Sequence, residues 1–158
     1  MITWYEGDYI GIQFNIHPKV VMRYPAPDMT ECEKKSIEEK PFINLADLEV
    51  VLCDYDKEKT YNFTISKGYK WDGASIPRIF WRLIGSKTEP EFLIPSMIHD
   101  VLCENHSYVA NDRYFADKVF ERLLFVSGVP AFNRWLMFHS VDNFQKFCGW
   151  KCKQQDNI

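Results

Sequence analysis

The chain has 158 residues, of which 46% are apolar and 16% aromatic; that is ample material for a buried core and excludes general disorder. Lys and Arg number 19 against 22 Asp and Glu, a formal charge of -3, so no basic footprint is visible and no nucleic-acid partner is expected. The apolar runs are short and broken by charge, which predicts no transmembrane helix, and residues 1–6 lack the basic-then-apolar order of a secretory signal.

The first part of the chain reads as strand and loop. Lys19 to Tyr24 is a short β-prone run closed by Pro25 and Pro27. Residues 31–40 are charged and poor in core formers, and with Pro41 following they read as a loop rather than a helical turn. Leu48 to Tyr55 and Thr60 to Tyr69 flank a polar tetrapeptide, Asp56 to Lys59, of hairpin length. Within the second run Tyr61, Phe63 and Ile65 alternate with polar residues, as in a strand with one buried face.

From about residue 71 the pattern turns helical. Glu91 to Glu104 carries Phe92, Leu93, Ile94, Met97, Ile98, Val101 and Leu102 at helical spacing, with Pro95 acceptable only near the helix start. A second helix is expected from Asn111, as its cap, to Ser127, with Gly128 ending it and Ala116, Val119, Phe120, Leu123 and Leu124 inward. A third runs from Pro130 to about Phe147, with Phe132, Trp135, Leu136, Phe138, Val141 and Phe144 as its stripe. The expected fold is α+β: a small antiparallel sheet in the N-terminal half packed with a three-helix C-terminal layer. One domain covers 1–158, with 1–70 mainly strand and loop, 71–150 mainly helical and 151–158 a polar tail.

The five cysteines (Cys32, Cys53, Cys103, Cys148 and Cys152) are odd in number and scattered, which argues against a disulfide framework and for a reducing, cytoplasmic setting. Cys148 and Cys152 could share a helix face, but two thiols fall short of a zinc site.

Three places could carry chemistry. Trp71 to Pro77 (WDGASIP) presents Asp72 and Ser75 at the junction of the strand and helical parts, either to orient a base or bind a cation, or to cap the following turn. His99 and Asp100 are adjacent in the first long helix, among apolar neighbours, and project about 100° apart, so they do not pair with each other. His99 is a candidate general base, since its unperturbed pKa lies nearest neutrality, and Asp100 a candidate for holding a cation. A core histidine with a satisfied hydrogen bond is the plainer alternative. Arg113 and Asp117 lie four apart on the second helix: an exposed ion pair, or an inward Asp117 that orients His99. His17, His106 and His139 have no comparable setting. Trp71, Phe80, Trp81 and Trp150 are candidates for an exposed aromatic interface.

The segments GYKWDGASIPRIFWRL, SMIHDVL, NDRYFADKVF, GVP and RWLMFHSV resemble, in order and spacing over residues 68–146, the bacterial and phage domain-of-unknown-function family 1353. The pattern of that family, an acidic residue before a small-Ser-x-Pro turn, a helical His-Asp, and an Arg followed four residues later by Asp, falls on Asp72, Ser75, Pro77, His99, Asp100, Arg113 and Asp117. An aromatic residue often stands four after the His; here it is Cys103. The resemblance implies a phage or prophage origin and supplies no reaction. More loosely, the His-Asp site is similar to that of phospholipases A2, which would make His99 the base, Asp100 a calcium ligand and Asp117 the support; the glycine-rich calcium loop of that family is missing.

Besides a host-interaction or anti-defence protein, which makes no distinctive demand on the polar residues, two functions follow as expectations. One is a virion, tail or lysis accessory component, found in the infected cell's cytoplasm or the virion, with phage structural proteins or a host protein as partners. The other is a small hydrolase of a lipid ester or cell-wall bond, with His99, Asp117, Ser75 and Arg113 as its catalytic set. Asp100 and Asp72 would hold a divalent cation, calcium or zinc, if the reaction uses one.

Overall fold

A computed structural model describes residues 1–73 and 90–148, with side chains described up to residue 143. The N-terminal half holds two antiparallel sheets. The larger has the order β1-β2-β5-β6, built from β1 (Ile2–Glu6), β2 (Ile10–Phe14), β5 (Leu48–Asp54) and β6 (Lys59–Ile65). The smaller has the order β3-β4-β7, from β3 (Val20–Met22), β4 (Phe42–Asn44) and β7 (Lys70–Trp71). The helical part comprises α2 (Leu93–Glu104), α3 (Arg113–Val126) and α4 (Ala131–Cys148). The fold is α+β, as composition and periodicity predict.

Alternation places the core. Ile10, Ile12 and Phe14 on β2, Leu48, Val50 and Leu52 on β5, and Phe63 and Ile65 on β6 are buried together. Met97, Ile98, Val101 and Leu102 of α2 and Phe115, Ala116, Val119 and Leu123 of α3 cover them. A second cluster joins Phe92, Phe120, Leu124, Val129, Met137 and Val141 between α3 and α4. Pro95 is the third residue of α2, where its missing N–H costs no intrahelical bond.

Four expectations are corrected. Residues 31–39 form a helix, α1 (Glu31–Glu39), not a loop. Thr30 Oγ1 accepts from the Glu33 N–H while the Glu33 carboxylate accepts from the Thr30 N–H, at 3.2 and 2.8 Å. This capping box starts a helix that buries only Ile37. Thr30→Ala is expected to cost about 1 kcal/mol, read as a lower midpoint in thermal unfolding.

The cap of α3 is Asp112, whose carboxylate accepts from the Phe115 N–H at 3.0 Å. Asn111 sits at φ 61° instead, a left-handed turn that asparagine tolerates, which moves the cap one residue on. Asp112 also pairs with Lys57 of the β5–β6 turn, tying the hairpin to the helical layer. Gly128, at φ 88°, ends α3 as expected.

Trp71 is buried, not part of an exposed interface. It packs on Phe42 and Tyr69, and its Nε1 donates to Ser96 Oγ at 3.1 Å. Phe80, Trp81 and Trp150 lie outside the described residues.

On α4 the expected stripe is partly misplaced. Met137 and Val141 point inward, while Phe132 and Trp135 are 59% and 57% exposed. Positions 132 and 135 lie about 120–180° around the helix from 137 and 141, so one face cannot hold all four.

Candidate functional site

His99 projects from the middle of α2 toward α3. Its Nε2 lies 3.0 Å from Asp117 Oδ1. The His99 side chain is 11% exposed and that of Asp117 is fully buried. Asp117 stands one turn after Arg113 on α3, and its second oxygen, Oδ2, accepts from Arg113 Nη1 at 3.0 Å. The same Nη1 donates to Asp142 Oδ1 of α4 at 2.9 Å. His99, Arg113 and two carboxylates from three consecutive helices therefore form one connected line.

The imidazole also meets Cys103, one turn along α2. Its Sγ lies 3.7 Å from Nδ1 and 3.8 Å from Nε2. The ring also packs on Phe120, with centroids 4.8 Å apart.

Burial opposes a charged imidazole here. The hydrogen bonds to Asp117 and Cys103 and the neighbouring negative charge outweigh it and push the His99 pKa up to about 10. His99 is then an imidazolium at neutral pH. Asp117 takes Nε2, and Nδ1 lies 3.7 Å from the Cys103 sulfur.

The remaining expected residues are placed as follows. Asp100 is buried. Burial first, then the Asp100 and Glu104 carboxylates, raise the pKa of Tyr69, whose hydroxyl donates to Glu104 Oε2 at 3.0 Å. Asp72 is half-buried, directly after Trp71 and before Gly73 at φ 95°. Ser75 and Pro77 lie outside the described residues. The structure thus brings His99, Arg113 and Asp117 into direct contact and gives no contact between them and Asp72. Among the described residues, no group of three or more His, Cys, Asp and Glu side chains is placed to hold a metal ion. Likewise, none of their helices is long and apolar enough to cross a membrane.

Asp142 is the member that sequence reasoning missed. Its only sequence signal is its place next to Val141, on a helix whose aromatic residues occupy more than one face. Cys103 was noted only as a departure from an aromatic, yet its sulfur lies within 4 Å of both His99 ring nitrogens.

A family model described as "Protein of unknown function (DUF1353)" matches residues 50–141. The chain belongs to this family. The matched span contains His99, Asp100, Cys103, Arg113 and Asp117, and stops one residue short of Asp142. An uncharacterized protein, y4jT, of Sinorhizobium fredii (strain NBRC 101917 / NGR234) is 32% identical over 98 residues. The alignment covers 57% of this chain and 28% of that relative, so the chain spans little more than a quarter of its length. No solved structure matches the chain. The DUF1353 match carries no reaction, and the comparisons lend the phospholipase likeness no support.

Proposed function

We propose that this DUF1353 chain works by assembly or binding and not by turnover at His99: an accessory component of a phage or prophage virion, tail or lysis apparatus. One observation carries the reading. The fully buried Asp117 carboxylate joins His99 to Arg113, and Arg113 joins Asp142, in a hydrogen-bonded line across α2, α3 and α4 that raises the His99 pKa. A general base must be unprotonated at its working pH. A buried, hydrogen-bonded charge line instead favours one arrangement of its helices. The phage or prophage setting rests on the sequence resemblance.

The test is made on a phage or induced prophage that encodes the chain. Quantitative mass spectrometry of purified particles, and the burst after deletion of the chain, are read together. The expected result is a fixed copy number per particle, or a defect in assembly or lysis. Absence from particles together with normal assembly and lysis contradicts the reading.

A second reading is favoured by the geometry of the ring. In it Nδ1, with Cys103 Sγ 3.7 Å away, would transfer the proton in a hydrolase of a lipid ester or cell-wall bond while Asp117 holds Nε2. Asp100 and Asp72 are the carboxylates this reading assigns to a calcium or zinc ion. Such an enzyme would gain activity as the pH rises toward 10 and lose it in a folded His99→Gln variant.

A further inference from the structure

A cleft of about 520 Å³ opens between the β1–β2 turn, α3 and α4, lined by side chains from all three. Its volume lies within the range of about 300–1,000 Å³ usual for small-molecule sites. Three of its aromatic side chains, Tyr9, Tyr114 and Trp135, are more than half exposed. Trp135 stands outside the core although apolar periodicity along α4 expects it inside, so this face spends large rings on solvent.

The charges that share the cleft are Asp8 and Glu121 against Lys118 and Arg122, two of each sign. Arg122 Nη2 donates to Glu121 Oε1 at 2.6 Å, and its guanidinium lies 5.7 Å from the Tyr5 ring centre. Lys118 Nζ lies 5.1 Å from the Tyr114 ring centre. These contacts hold donors and acceptors beside the aromatic faces.

The balance of signs selects among ligand classes. An anion meets two carboxylates, and a cation meets two cations. A wholly apolar ligand strips water from Asp8 and Lys118, whereas Glu121 is already paired with Arg122 and Arg134. A neutral polyhydroxyl ligand uses both signs, because each hydroxyl donates and accepts. Its C–H faces carry partial positive charge and suit the negative faces of Tyr and Trp rings. We propose that this cleft is a saccharide-binding site, with Trp135 and Tyr9 as stacking platforms and Asp8 and Lys118 as hydroxyl partners. The argument uses neither the His99 line nor the accessory role, so its failure leaves both untouched.

The test is calorimetric titration of the full chain with triacetylchitotriose and with maltotriose, and with adenosine monophosphate as an anionic aromatic control. The expected result is saturable binding of at least one trisaccharide with a Kd below about 1 mM. Trp135→Ala is expected to weaken it by about tenfold or more, with circular dichroism unchanged because the ring is exposed. Tyr9→Ala, at an exposed position on the β1–β2 turn, is expected to weaken it as well. The proposal is overturned if neither trisaccharide saturates the protein, if the nucleotide binds and the sugars do not, or if binding survives both variants.

Discussion

Asp117→Ala is expected to destabilise the chain by about 3–5 kcal/mol, the usual cost of removing one partner of a buried ion pair. Asp117 is fully buried and receives both His99 and Arg113. Alanine removes the acceptor and leaves an imidazolium and a guanidinium with less compensation in a site from which water is largely excluded. It also leaves a small void where the carboxylate stood. Asp117→Asn retains the shape and one acceptor oxygen but not the charge, and should fall between wild type and alanine. Urea unfolding followed by tryptophan fluorescence measures both. A loss below about 1 kcal/mol for the alanine variant would place the pair among those that contribute little, as surface pairs do.

Stability is expected to fall as the pH rises from about 6.5 toward 10. The sign follows from His99. Its folded-state pKa, about 10, lies above its unfolded value of 6.5. The folded protein binds the proton more tightly, so the contribution is fully present below pH 6.5 and is lost as the pH climbs through the folded value. Each unit of separation is worth about 1.4 kcal/mol, so the fall should reach several kcal/mol across this window. His99→Gln removes the titration and should flatten the wild-type curve over the same range. Unfolding free energies at half-unit steps, for both proteins, test this directly. Parallel curves would contradict a strongly held imidazolium.

Much of this arrangement is legible in the residues. The hairpin β5–β6 follows from alternation around a polar tetrapeptide, and α2 and α3 from apolar spacing with Gly128 as a stop. The inward face of α3 follows from the same spacing, but it leaves Asp117 at the border of that face, and only the structure decides between an exposed and a buried carboxylate. What sequence left open has physical causes. Helix α1 has almost no apolar face to show, and its evidence is the Thr30–Glu33 box, a pattern of two residues that composition hides. The hairpin β1–β2 is short, and its alternation of Ile10, Ile12 and Phe14 sits on one strand only. On α4, aromatic residues occur on more than one face, so periodicity alone cannot say that Met137 and Val141 face α3 while Phe132 and Trp135 face solvent. Asp142 went unseen for the same reason: its partner, Arg113, lies 29 positions away in the chain, and only the packing of α4 on α3 brings them together.

The central claim is that His99 is a resident cation of this line and not a base poised near neutrality. A ¹⁵N-resolved NMR titration of the His99 ring tests it most directly. The account predicts that His99 stays doubly protonated through neutral pH, with a midpoint near 10, and that Asp117→Asn brings that midpoint down. A wild-type midpoint near 6.5, with a single proton on the ring at pH 8, would contradict the claim and return His99 to the role of general base.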